Sequence, residues 1–129
     1  MNQIEFYEAK LNYETDSWDL SEMRKSGDEV IIIDARSFEA YEEEHIPGAV
    51  NIPHRMMTEE STKHLNKAYL VVTYCDGIGC NASTKGALNM TRLGFSVKEL
   101  LGGLEWWKRD GYETKGKSGC KGKSVQCGC

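Results

Sequence analysis

The chain has 129 residues, 40% of them hydrophobic, enough for one domain with a single modest core. A formal net charge of -4 excludes the basic footprint of a nucleic-acid binder and disfavours anionic membranes. A membrane helix needs about 20 apolar residues in a row, and no run here approaches that length.

The opening MNQIEFYEAKLNYETD is polar and acidic, without the basic start, apolar middle and small-residue cleavage site of a signal peptide. The expected compartment is the cytoplasm, where thiols stay reduced. The five cysteines therefore read as reactive or metal-binding rather than as structural disulfides. In the first part of the chain Phe6, Leu11, Trp18, Leu20 and Met23 supply one side of short helices packed on a sheet. Ser17 or Asp16 caps a helix running to about Lys25, and Gly27 ends it. Residues 30–33, Val-Ile-Ile-Ile, form a continuous β-branched run, the pattern of a strand buried on both faces.

Ser37 then reads as the N-cap of a short helix over 38–44, stopped before Pro47-Gly48. Residues 49–52 give a second short strand, and Thr58 opens another helical segment. The second strong strand covers 69–74 and ends at Cys75, followed by a glycine-containing loop. A helix follows, with Ala82, Ala87, Met90 and Leu93 on one face and Gly94 at its end. Residues 97–101 are a third strand candidate, Gly102-Gly103 a turn, and 104–109 a final helix. Strands alternating with helices imply an α/β fold with a mainly parallel sheet. Residues 115–129, rich in Gly, Lys and Ser, read as a flexible tail after a domain spanning 1–114.

Four motifs now stand in order: Asp34-Ala35-Arg36-Ser37 after a buried strand, His45-Ile46-Pro47-Gly48-Ala49, Tyr74-Cys75 with its loop, and Gly102-Gly103-Leu104-Glu105-Trp106-Trp107. In these motifs residues 28–114 resemble a rhodanese domain. The resemblance implies a mainly parallel sheet of about five strands with helices on both faces. It also implies a single-domain sulfurtransferase working through a persulfide on Cys75.

The residues themselves suit that chemistry. Sulfur transfer needs a thiolate, so the site must favour the ionised thiol. Cys75 stands at the C-terminal end of a strand, where open parallel sheets bind ligands. The loop Asp76, Gly77, Ile78, Gly79, Cys80 and Asn81 leads straight into a helix. Its glycines let backbone N–H groups of residues 76–80 turn inward, and the helix N-terminus adds about half a positive charge. The loop has no Lys or Arg, and Asp76 stands where thiosulfate-using members carry basic residues, so thiosulfate is expected to be a poor donor. Phosphatase relatives of this fold carry an arginine at the sixth position after the cysteine; here that residue is Asn81, so no phosphate clamp is expected.

Asp34 and Arg36 follow the strand near the same sheet edge. The resemblance implies that they help hold the domain and border the pocket. The residues themselves read as a structural ion pair or hydrogen bond, and Arg36 is a candidate source of the charge the loop lacks. Cys80 is a candidate resolving thiol, against the alternative that it only packs at the helix start in a loop too tight for a disulfide. Cys120, Cys127 and Cys129 in the tail are candidates for sulfur relay or for a soft metal, although no fourth tail ligand exists for a closed zinc site. No cofactor, resident metal, nucleic acid or membrane is expected. The expected partners are a small-molecule or protein persulfide donor and a thiol or cyanide-like acceptor. Two other readings compete: a non-catalytic protein-binding module, and a thiol redox or metal-handling protein using Cys80 and the tail cysteines.

Overall fold

The computed structural model describes residues 1–122. Helix α1 (Gln3–Tyr13) leads into strand β1 (Glu14–Thr15), helix α2 (Ser17–Lys25), strand β2 (Val30–Asp34) and helix α3 (Phe38–Glu43). Strand β3 (Val50–Asn51), a 3-10 turn (His54–Met56), helix α4 (Glu59–Thr62) and strand β4 (Leu70–Tyr74) follow. Helix α5 (Ala82–Arg92), strand β5 (Ser96–Leu100) and helix α6 (Gly103–Arg109) complete the order. The five strands form one sheet in the order β1-β5-β4-β2-β3, and every pairing is parallel. Among the described residues no helix is long and apolar enough to cross a membrane.

The two apolar runs occupy the centre of the sheet, with Val30 opposite Leu70 and Asp34 opposite Tyr74. Alternation along β2 and β4 sends their side chains into two separate cores. Ile32, Val72 and Tyr74 pack with Leu20 of α2 and with Leu104 and Trp107 of α6 on one face. Ile33 and Val71 pack with Met90 of α5, Met57 and Phe95 on the other. Helices therefore cover both faces, as the strand pattern requires.

The helix starts follow local chemistry. The Asp16 side chain accepts the N–H of Asp19 at 2.8 Å, so Asp16 rather than Ser17 is the cap of α2. Ser37 accepts the N–H of Ala40 at 3.2 Å to start α3, and Thr58 and Ser61 cap α4 reciprocally.

Two expectations fail. Phe6, Leu11 and Trp18 do not pack on the sheet: they are 48%, 77% and 61% exposed, and α1 buries no residue. Only Leu20 and Met23 of that set reach the core. Residues 115–122 are not a free tail either. The N–H of Lys115 bonds the His45 carbonyl and the N–H of His45 bonds that of Lys115, both at 2.9 Å. Lys117 and Ser118 donate to the carbonyls of Glu42 and Glu43. Beneath them, buried Glu44 accepts from Thr114 Oγ1 at 2.6 Å and from Lys108 Nζ at 2.8 Å. Backbone pairing with the end of α3 thus orders a segment whose side chains have little to bury.

Candidate functional site

The site grows from the C-terminal ends of the two central strands. Asp34 ends β2 with no exposed surface. Its Oδ1 accepts from the backbone N–H and from Nε of Arg36, each at 2.9 Å. Its Oδ2 accepts from Arg36 Nη2 at 2.7 Å and from the Tyr74 hydroxyl at 2.8 Å. Tyr74 Oη in turn accepts the N–H of Ile46 at 3.0 Å. A buried carboxylate is tolerable only when paired and saturated in this way.

Burial by itself pulls the Arg36 guanidinium down in pKa. The hydrogen bonds and charges of Asp34, joined by Asp76, more than offset this and raise it above its usual value, so Arg36 is permanently cationic. Burial and the Asp34 charge push the Tyr74 phenol far above its ordinary range, so it is a neutral donor. The expectation of an Asp34–Arg36 pair therefore holds in geometry. Arg36 supplies no surplus charge to a ligand. Its Nη2 also donates to the Glu44 carbonyl at 2.6 Å and its Nη1 to Asp76 Oδ1 at 2.8 Å.

Cys75 follows Tyr74 at the end of β4 and is 1% exposed. Its carbonyl accepts the N–H of Leu104 at 2.9 Å, and that of Asp76 accepts the N–H of Glu105 at 2.8 Å, so the first turn of α6 holds the loop from behind. Gly103 makes this approach possible. Its φ is +57°, and a Cβ there would collide with the Cys75 carbonyl oxygen and sit 3.0 Å from the Gly77 nitrogen. Gly102-Gly103 read only as a turn in the sequence. Two consecutive glycines after a strand were the available signal for a close backbone approach.

The loop then runs over Gly77, the 75% exposed Ile78 and Gly79 to Cys80 and Asn81, where α5 begins. Cys75 and Cys80 are joined by a disulfide across a Cα–Cα distance of 6.3 Å. The loop is thus not too tight for the bond, and the reading of these two cysteines as reduced thiols is corrected for this state. The N–H of Cys80, counted among the inward-turned amides, is committed to the Gly77 carbonyl at 3.3 Å. A carboxylate oxygen of Asp76 lies within 4.8 Å of both sulfurs. These three residues are the one grouping of metal-ligating types among the described residues, and in this state the disulfide occupies both sulfurs.

The remaining motif residues and tail cysteines lie elsewhere. His45 stacks on Tyr41, with ring centroids 3.8 Å apart, and its Nδ1 contacts the Tyr41 carbonyl at 2.7 Å. Trp107 is core, and Trp106 is partly exposed beside Arg109. Cys120 is buried with its sulfur 3.8 Å from the Ser118 carbonyl and is itself disulfide-bonded, so it is not a free relay thiol. Cys127 and Cys129 lie outside the described residues. Three supporting roles carry no signal in the sequence: that of Tyr74, although it stands in the Cys75 motif, and those of Glu44 and Asn51. Asn51 Nδ2 donates to the carbonyls of both Asp34 and Arg36.

The family model described as Rhodanese-like domain matches residues 18–110. The thiosulfate sulfurtransferase GlpE of Coxiella burnetii is 35% identical over 95 residues, covering 72% of this chain and 81% of the relative. The crystal structure of the BH2092 protein from Bacillus halodurans is similar with a TM-score of 0.86 and 44% identity, covering 95% of this chain and 90% of that one. The solution structure of the rhodanese-like domain of the Alr3790 protein from Anabaena has a TM-score of 0.71 at 28% identity, covering 80% and 78%.

Proposed function

The chain belongs to the rhodanese-like domain family, and on that premise we propose that it is a sulfurtransferase whose reduced Cys75 carries the sulfur. The thiolate attacks the outer sulfur of a persulfide donor, R–S–SH. The donor S–S bond breaks, R–S⁻ leaves, and Cys75 becomes Cys–S–SH. A thiolate or cyanide-like acceptor then attacks that outer sulfur and returns Cys75 to the thiolate. Loop amides other than that of Cys80, with the N-terminus of α5, stabilise the anionic sulfur.

The observation that carries this reading is the position of Cys75, buried at the C-terminal end of a central strand and opening a loop into a helix start. The Cys75–Cys80 disulfide must first be opened by a dithiol. Asp76 beside the sulfurs supports a monoanionic persulfide over doubly anionic thiosulfate as donor.

The test is intact mass after loading the reduced protein with either donor. Cys75 is the carrier if wild type gains sulfur, or gains and then discharges it, while Cys75→Ser does neither. A folded wild type that never takes sulfur from either donor would sink the reading.

A further inference from the structure

We propose that Cys80 reduces the sulfur bound to Cys75 and expels it as hydrosulfide, which makes the protein a persulfide reductase as well as a sulfur carrier. The inference rests on Cys75 being the carrier. The Cys80 thiolate attacks Sγ of the Cys75 persulfide, the inner sulfur. The Cys75–sulfur bond breaks, its electron pair leaves with HS⁻, and Cys75–S–S–Cys80 forms. The sulfane sulfur gains two electrons and the two thiols lose them. A dithiol reductant then restores both thiols. Over a full cycle R–S–SH and a dithiol become R–SH, hydrogen sulfide and a disulfide.

Three observations carry this step. First, the loop accommodates the product of the attack: the two cysteines are bonded with Cα atoms 6.3 Å apart, inside the usual range of about 4.4–6.8 Å. Second, Cys75 is 1% exposed and Cys80 is its neighbour within the loop. A sulfur delivered to Cys75 meets the Cys80 thiol without diffusion, whereas an external thiol must first diffuse to the site. Intramolecular placement of that kind is worth a large effective concentration. Third, an Asp76 carboxylate oxygen stands within 4.8 Å of both sulfurs. That carboxylate is held by Arg36 Nη1 at 2.8 Å, so the contact to the end of β2 fixes the start of the loop beside both sulfurs. Cys80 is thus not an incidental residue at the helix start, and loop closure is the step that discharges the site.

The experiment uses the full-length reduced chain, freed of reductant and mixed with a limiting amount of cysteine persulfide. Hydrosulfide release, intact mass and peptide mapping are followed for wild type, Cys80→Ser and Cys75→Ser. Wild type is expected to release about one hydrosulfide per loaded chain and to lose two hydrogens, mapped to the Cys75–Cys80 peptide. Cys80→Ser is expected to hold the added sulfur, which cyanide then removes as thiocyanate. If wild type holds the sulfur as long as Cys80→Ser and no Cys75–Cys80 peptide appears, the reductase step is overturned and the carrier reading survives. If neither wild type nor Cys80→Ser takes up or discharges sulfur, both fall.

Discussion

Arg36 Nη1 meets Asp76 Oδ1 at 2.8 Å, across forty residues of sequence, and so ties the end of β2 to the first residue of the cysteine loop. The two partners differ in environment. The Arg36 side chain is 7% exposed and the Asp76 side chain 70%. Arg36 also holds the fully buried Asp34 and the Glu44 carbonyl, so a single guanidinium joins β2, the cysteine loop and the end of α3.

That asymmetry sets the cost of breaking either side. Arg36→Met leaves Asp34 charged, buried and unpaired, which is expected to cost about 3–5 kcal/mol. Asp76→Asn removes only the exposed partner and is expected to cost at most about 1 kcal/mol. Urea midpoints of the two variants, measured at neutral pH with the loop reduced, check the difference. Equal costs would mean that Asp34 is compensated by something other than Arg36.

Asp76→Asn is also expected to change donor preference. At about 5 Å with near-bulk screening, a single charge repels a dianion by about 1.7 kcal/mol. The variant should therefore use thiosulfate roughly tenfold better, each factor of ten being about 1.4 kcal/mol. The gain with a monoanionic persulfide should be smaller, and added salt should shrink both. Thiocyanate formation from cyanide measures each rate. An unchanged thiosulfate rate would show that Asp76 does not govern donor choice.

These variants lean on contacts of very different visibility in the sequence. Residues 30–33 and 69–74 were legible as central strands because an unbroken β-branched run suits burial on both faces. Glu14–Thr15 was not, since two polar residues carry no period and become a strand only by pairing with Glu99 and Leu100. Phe6, Leu11 and Trp18 misled because apolar spacing records which residues share a face, not whether anything covers it. Cys75 and its loop were legible from a strand end running through glycines into a helix. The Arg36–Asp76 contact was not, because a separation of forty residues leaves no periodic trace. The order of residues 115–122 was hidden for another reason. It rests on backbone pairing of Lys115, Lys117 and Ser118 with His45, Glu42 and Glu43 and on the disulfide-bonded Cys120, which composition does not encode.

Gly103→Ala tests how the loop is held. The new Cβ would be driven into the Cys75 carbonyl, and a φ of +57° adds strain for any residue with a side chain. Backbone on both sides leaves the clash no flexible side chain to displace, so α6 or the loop must shift. A shift of about 1 Å at a reacting group can cost about a hundredfold in rate. Sulfur loading of Cys75 should fall on that order, with the Leu104 and Glu105 amides exchanging faster than in wild type. Gly102→Ala is the internal comparison. Its Cβ meets Trp106 rather than the loop, so it should destabilise α6 with less effect on loading.

Tyr74 gives the fold an alkaline limit. Burial, then the Asp34 charge, push its phenol far above the ordinary value, which is about 10 in the unfolded chain. Above about pH 10 the unfolded chain loses this proton while the native protein keeps it. The native state then binds more protons, so stability is fully present below about pH 10 and declines as pH rises further. Tyr41, raised mainly by partial burial and then by Asp34, adds to the same slope. Tyr74→Phe removes the larger contribution but leaves the Ile46 N–H without its acceptor and takes from Asp34 Oδ2 one of its two donors, Arg36 Nη2 remaining. It should therefore be less stable by about 1–3 kcal/mol at neutral pH. Its disadvantage should narrow as pH rises past 10, with a residual slope from Tyr41. Urea midpoints from about pH 8 to pH 11 read both effects, the ordinary tyrosine range lying inside that window. Parallel curves for wild type and variant would mean that Tyr74 ionises as readily in the fold as outside it.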